Sequence, residues 1–298
     1  MGPNEKLWSL FKRQDVMTKI MVLNGLVFLV LSIGAALMGW SRSSFYSWFA
    51  LPDDLLRFIG QPWSLLTYSF LHSGFFHLLF NMIWLSFFGR FVLNLFSERR
   101  FLTLYLLGGI VAGLVYLISY NIFPAFLGAP SGQLVGASGA VMAIMAFAAL
   151  YSPYAPVRIF FFNLKLWQLA AFMVLWDLIR LPDLIRLPEM NNAGGLIAHL
   201  GGAAFGYYYA RNLQAGRDIG LWFDRLMDRL LTLWSNTSKK SRSANRRGAS
   251  QSRKNRSNRP AKGSDQDKID AILDKIGQSG YESLTKEEKD FLFKSGRN

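Results

Sequence analysis

Cysteine is absent from the 298 residues. Its absence excludes a disulfide framework, thiolate metal sites and a cysteine nucleophile. Histidine is nearly as scarce, at three: His72, His77 and His199. Charge is missing in blocks. No Asp, Glu, Lys or Arg occurs at 20–40, 58–89, 101–157 or 190–210. About 20 apolar residues cross a hydrocarbon layer of roughly 30 Å, so such blocks read as membrane helices and exclude a large water-soluble core. The first block is long, and no small-residue cleavage site follows it, which predicts an anchor rather than a removed signal peptide.

What is present is segregated just as sharply. Half the residues are hydrophobic (51%), yet the net charge is +14. Six spans fit the apolar blocks, at about 18–39, 73–95, 101–121, 138–152, 159–178 and 193–211. The fourth is short, so an irregular backbone is expected at its start, shielded from lipid by protein. Lys165 falls near one end of the fifth, within snorkelling reach of the interface. Basic residues set the orientation: Lys6, Lys12, Arg13 and Lys19 precede span one, and Arg90, Arg99, Arg100 and Arg158 flank spans two, three and five. By the positive-inside rule both termini lie in the cytoplasm, and spans two, four and six start at the outer face.

The predicted organisation is a cytoplasmic segment 1–17, an all-α six-helix membrane domain 18–213 and an amphipathic juxtamembrane helix 214–235. A linker 236–264 and a small helical segment 265–298 follow. In the juxtamembrane stretch Ile219, Trp222, Phe223, Leu226, Met227, Leu230 and Leu233 recur at helical spacing. That pattern predicts a helix on the inner membrane surface. The linker holds ten basic residues in 235–264 and no acidic one, a composition expected to be disordered. It carries no aromatic residue for base stacking, so anionic lipid fits it better than specific nucleic acid. In the last segment Ile269, Ile272, Leu273 and Ile276 form an apolar stripe, and Thr285 with Glu288 reads as a capping box.

All three histidines fall in the membrane part, where polar groups are costly and imply function. By topology His77 and Asn81 lie one turn apart near the outer end of span two. Ser138 opens span four within Gly136-Ala137-Ser138-Gly139, and His199 lies one to two turns into span six. Three helices thus bring polar groups to similar depth. A serine needs an adjacent base to become a nucleophile, and His199 supplies one if spans four and six touch. Gly139, Gly202 and Gly206 allow that approach. The oxyanion would take the Ser138 backbone N–H at a helix start, with His77 and Asn81 as further donors. No carboxylate reads as well placed, since Asp177, Asp183 and Glu189 fall outside the helical cluster. The expectation is a Ser138–His199 dyad. A metal site is the rival use of three histidines, but the His-Glu-x-x-His string is absent, and no metal or cofactor is expected.

The strings His72-Ser-Gly-Phe-Phe-His77-Leu-Leu-Phe-Asn81, Gly136-Ala-Ser138-Gly139 and Ala198-His199-Leu-Gly-Gly202 with Gly206 resemble the rhomboid family of intramembrane serine proteases, bacterial type, over about 15–215. The resemblance implies a six-helix bundle with an outward-opening, water-filled cavity. It also implies a Ser138–His199 dyad, an oxyanion hole completed by His77 and Asn81, and single-span membrane substrates cut near the outer boundary. The implied setting is the bacterial inner membrane. An inactive relative that escorts membrane proteins is the alternative, although such relatives usually lose the serine or the histidine. Two positions depart from the family pattern: Ser64 follows Trp63 where an arginine is common, and Met142 stands where an aromatic residue often stacks on the base. Methionine can still make a sulfur–aromatic contact with an imidazole.

Overall fold

A computed structural model describes residues 9–126, 132–159, 161–186, 193–229, 232, 269, 272, 275 and 284–295. The chain forms two compact units, Met1–Leu233 and Trp234–Asn298.

The first unit is helical. Its long elements are α1 (Val16–Leu37), α5 (Phe75–Leu95), α6 (Glu98–Ile122), α7 (Ser138–Tyr151), α8 (Leu166–Arg186) and α9 (Ala193–Gln214). Short helices α2 (Arg42–Tyr46), α3 (Leu55–Gly60) and α4 (Ser64–Thr67) and the turn Tyr68–Phe70 bridge α1 to α5. Among the described residues three helices, α1, α5 and α6, are long and apolar enough to cross a membrane, and α7 is a shorter apolar helix. The protein is an integral membrane protein.

Local chemistry sets the helix starts. Asp15 caps α1 by accepting from the Thr18 N–H at 2.7 Å, and Ser97 caps α6 through Arg100 N–H at 3.3 Å, with Glu98 in the first turn. Both devices satisfy backbone donors that a helix start leaves unpaired. The core is built around α7, whose residues Gly139–Met145 and Phe147–Ala149 are all buried. Its alanines and glycine let α5, α6, α8 and α9 pack around it at close range. Two short antiparallel pairings join the loops. Strand β1 (Leu51–Pro52) pairs with β2 (Gln133–Leu134), tying the loop after α1 to the segment that leads into α7. Strand β3 (Pro156–Ile159) pairs with β4 (Phe162–Lys165) as a hairpin.

That hairpin corrects the fifth span. The apolar run from 159 is expected to begin a helix, but Ile159 and Phe162–Lys165 are strand, and α8 starts only after Lys165. Short apolar runs carry no periodicity that separates strand from helix, whereas cross-strand pairing does. Lys165 therefore sits at the end of β4, its ammonium 5.2 Å from the Tyr154 ring. At its other end α8 continues past the expected stop, through Pro182 to Arg186, and carries Asp177 and Arg180 inside the helix. Glu189 lies outside the described residues.

After α9 the chain turns at Gly216 (φ +75°), a backbone conformation suited to glycine. A helix then covers 221–229. Phe223 is buried, while Leu221, Trp222 and Leu226 are exposed. Asp218 accepts from Arg100 at 2.6 Å, from the Tyr209 hydroxyl at 2.9 Å and from the Gly220 N–H at 2.9 Å. Asp224 accepts from Thr103 and, with Asp228, pairs with Arg99. Leu230 and Leu233, the far end of the expected stripe, lie outside the described residues, as does the whole basic linker.

The second unit contains α10 (Lys286–Ser295). Its start is a reciprocal capping box: Thr285 N–H donates to Glu288 at 2.8 Å, and Glu288 N–H donates to the Thr285 hydroxyl at 3.3 Å. Lys275 also donates to Glu288 at 2.9 Å, and this ammonium, with the Thr285 N–H, holds the Glu288 carboxyl below its ordinary pKa. Ile272 and Leu284 are buried here; Leu273 and Ile276 lie outside the described residues.

Candidate active site

Four predicted residues from three helices, Ser138, His199, His77 and Asn81, line one cavity of about 710 Å3. Aromatic side chains from α5 and α8, among them Phe76, Trp84, Phe172 and Trp176, form much of the remaining wall.

Ser138 is the first residue of α7. Its backbone N–H therefore lies among the unpaired donors at the positive end of a helix. The segment before it is irregular, as the short fourth span suggested. Gly136 has φ +128°, and a Cβ there would stand 2.8 Å from Cε1 and Nε2 of His77. A side chain is excluded twice over, by backbone conformation and by the imidazole. The Gly136 N–H donates to the Tyr68 carbonyl at 3.0 Å, and the buried Tyr68 hydroxyl donates to Gly109 C=O in α6 at 2.6 Å. One residue thus fixes the loop ahead of the serine to the neighbouring helix. The sequence offered no sign of this role, because the bond from Gly136 uses only Tyr68 backbone.

His77 is oriented by Ser73, whose hydroxyl is 3.0 Å from Nδ1. Asn81 is buried and donates to the His77 carbonyl at 2.8 Å, one turn away. His72 does not line the cavity. It is buried behind His77, their rings edge to face with centroids 5.1 Å apart.

The glycines expected to bring spans four and six together lie at their contact. A Cβ on Gly202 would overlap the Gly139 carbonyl, and one on Gly206 would overlap the Ala143 carbonyl. Gly139 is similarly closed in by Ala112 of α6. Backbone therefore lies on backbone along α7 and α9, on the face that carries His199. Met142 is buried and lines the same cavity as His199.

The expectation that no acid approaches the cluster does not hold. Asp177 Oδ2 lies 2.8 Å from Nδ1 of His199. The error follows from the helix limits. With α8 ending near 178, Asp177 would sit at its exit; with α8 running to Arg186, Asp177 is an interior residue facing α9. The signal available in the sequence was an acidic residue within an otherwise apolar helical pattern, which needs a buried partner. Among the described residues no hydrogen bond joins Ser138 Oγ to His199. Unliganded sites commonly hold such pairs apart until substrate arrives. Among the described residues no group of three or more His, Cys, Asp or Glu is arranged to hold a metal.

The Rhomboid domain matches residues 59–215, more than half of the chain, and a family of unknown function matches 256–294. RHOMBOID-like protein 12, mitochondrial, from Arabidopsis thaliana is 32% identical over 53% of this chain and 48% of its own. Presenilin-associated rhomboid-like protein, mitochondrial, from Mus musculus is 26% identical over 77% of this chain and 55% of its own. Rhomboid protease GlpG from Yersinia pestis is 30% identical over 52% and 51%. The chain spans about half the length of the curated relatives it matches.

Proposed function

Because the chain belongs to the rhomboid family, we propose that it is an intramembrane serine endopeptidase, with Ser138 as nucleophile and His199 as its base. The observation that supports this reading most strongly is the shared cavity of Ser138, His199, His77 and Asn81. Ser138 Oγ passes its proton to His199 and attacks the substrate carbonyl carbon. The tetrahedral oxyanion is met by the Ser138 backbone N–H and by His77 and Asn81 side chains. Collapse breaks the peptide C–N bond, and His199 returns the proton to the leaving amine. Water, deprotonated by the same imidazole, then hydrolyses the acyl-serine. Substrates are transmembrane proteins, cut near the outer face. No cofactor is needed for any of these steps.

Replacing Ser138 by Ala is expected to abolish cleavage of a reconstituted single-span substrate and labelling by a fluorophosphonate, with the thermal midpoint unchanged. A parent protein that is folded yet neither labels nor cleaves would instead support an inactive binding relative. Cleavage surviving in Ser138→Ala removes the serine mechanism altogether.

The proposed topology has six spans, α1 and α5 to α9, in a bacterial cytoplasmic membrane with both termini inside. It rests on Arg90, Arg99, Arg100 and Arg158 at one side of the helices. The basic linker then faces anionic lipid. The cysteine-free chain makes the check clean: single cysteines at the exposed positions 98 and 215 should react with an impermeant thiol reagent only after the cell is opened.

A further inference from the structure

We infer that Asp177 is a positioning residue for the base: its carboxylate fixes the His199 imidazole with the proton on Nδ1, leaving Nε2 free to take the serine proton. The inference rests on Ser138 and His199 acting as proposed above, and it adds a residue from a third helix to that pair.

Three observations carry it. The distance is 2.8 Å, within the range of a charge-assisted hydrogen bond. Both groups are largely withdrawn from solvent, with side-chain exposures of 11% for Asp177 and 22% for His199. Both also line the cavity that holds Ser138, so the bond lies at the site rather than behind it. A carboxylate so far withdrawn from solvent is costly unless paired, and His199 Nδ1 is the hydrogen-bond partner the structure supplies. An ionised carboxylate only accepts, so the shared proton belongs to Nδ1. The other nitrogen is then the lone-pair nitrogen a general base requires. When His199 takes the serine proton, the resulting imidazolium sits beside a fixed negative charge.

A purely structural alternative is a peg between α8 and α9. Those helices expose Trp167, Phe172, Leu175, Trp176, Leu178 and Ile179 on the α8 side, so a polar peg would matter to packing. The two roles separate by kinetics. In Asp177→Asn the amide can present its N–H to Nδ1, which moves the imidazole proton to Nε2 and blocks base action. The expected loss in kcat is on the order of 10²-fold or more, with KM changed less than about threefold.

The experiment uses full-length protein in detergent, with fluorophosphonate labelling rate and substrate cleavage each measured from pH 5 to 9. Parent, Ser138→Ala, Asp177→Asn and Asp177→Glu are compared, together with their thermal midpoints. A folded Asp177→Asn with parental kcat overturns the inference while leaving the serine mechanism intact. Activity in Ser138→Ala overturns the mechanism itself. If Asp177→Asn does not fold, Asp177→Glu decides. It keeps the charge and the acceptor, and is expected to label within about tenfold of the parent. A folded Asp177→Glu that loses kcat as far as predicted for Asn overturns the inference.

Discussion

Two contacts hold the first unit together by opposite means. The seam between α7 and α9 contains no charge and almost no side chain: Gly202 and Gly206 lie against the carbonyls of Gly139 and Ala143. The contact between the start of α6 and the 218–229 segment is rich in charge: Arg99 and Arg100 face Asp218, Asp224 and Asp228. In hydrocarbon there is no hydrophobic gain in pressing one apolar helix on another, so close backbone approach and dispersion supply the adhesion. Where water reaches, ion pairs and shared hydrogen bonds can do the holding, but they are screened and titratable. The seam should therefore respond to a single methyl group and ignore pH, and the charged contact should do the reverse. The candidate active site combines the two: the first kind of contact brings the helices of Ser138 and His199 together, and a polar contact joins Asp177 to the imidazole.

The largest effect comes from breaking the seam. In Gly202→Ala the new methyl overlaps backbone, which no rotamer change relieves. The helices must separate, at a cost of about 3 kcal/mol, the upper end of what overpacked cores show. Thermal unfolding in detergent should show a lowered midpoint across pH 5 to 8, and fluorophosphonate labelling of Ser138 should fall with it. Gly206→Ala is expected to behave alike, through the Ala143 carbonyl. A midpoint equal to the parent in both variants would mean the seam is looser than backbone contact. The same substitution at Gly25, which has nothing within 4 Å of the added methyl, is the control and should leave the midpoint unmoved.

How much of this was legible in the sequence tracks the same division. Gly202 and Gly206 fall four residues apart on the His199 face, so local periodicity alone brought them to the seam. Ser138 at a helix start and His77 with Asn81 one turn apart are equally local facts. The Asp177–His199 contact is not legible locally, because it depends on where α8 ends, and that limit is set by a hairpin at one end and by packing on α9 at the other. The hold of Tyr68 on Gly136 was invisible, because a backbone carbonyl can be supplied by any residue. Arg100 and Asp218 are 118 residues apart, and nothing in either neighbourhood names the other. Periodicity reports faces; it does not report which distant charge a face will meet.

The smallest effect tests the charged contact by acid. Burial works to raise the Asp218 carboxyl pKa, but the Gly220 N–H, Arg100 and the Tyr209 hydroxyl favour the ionised form and hold it below the ordinary aspartate value. A depressed folded-state pKa contributes stability that is fully present above the unfolded value and is lost as pH falls through the folded one. From pH 8 down to about 5 the contact should not change; below about 4 it should weaken as the carboxylate protonates. Hydrogen exchange of the 221–229 amides, corrected for intrinsic rate, should rise over that acid range alone. Asp218→Asn should raise the same exchange already at neutral pH and leave the acid response of 221–229 smaller. The α7 and α9 amides of both proteins should stay protected throughout. Release of 221–229 between pH 8 and 5, or acid loosening of α7 and α9 together with it, would show that the two contacts are not held by different forces.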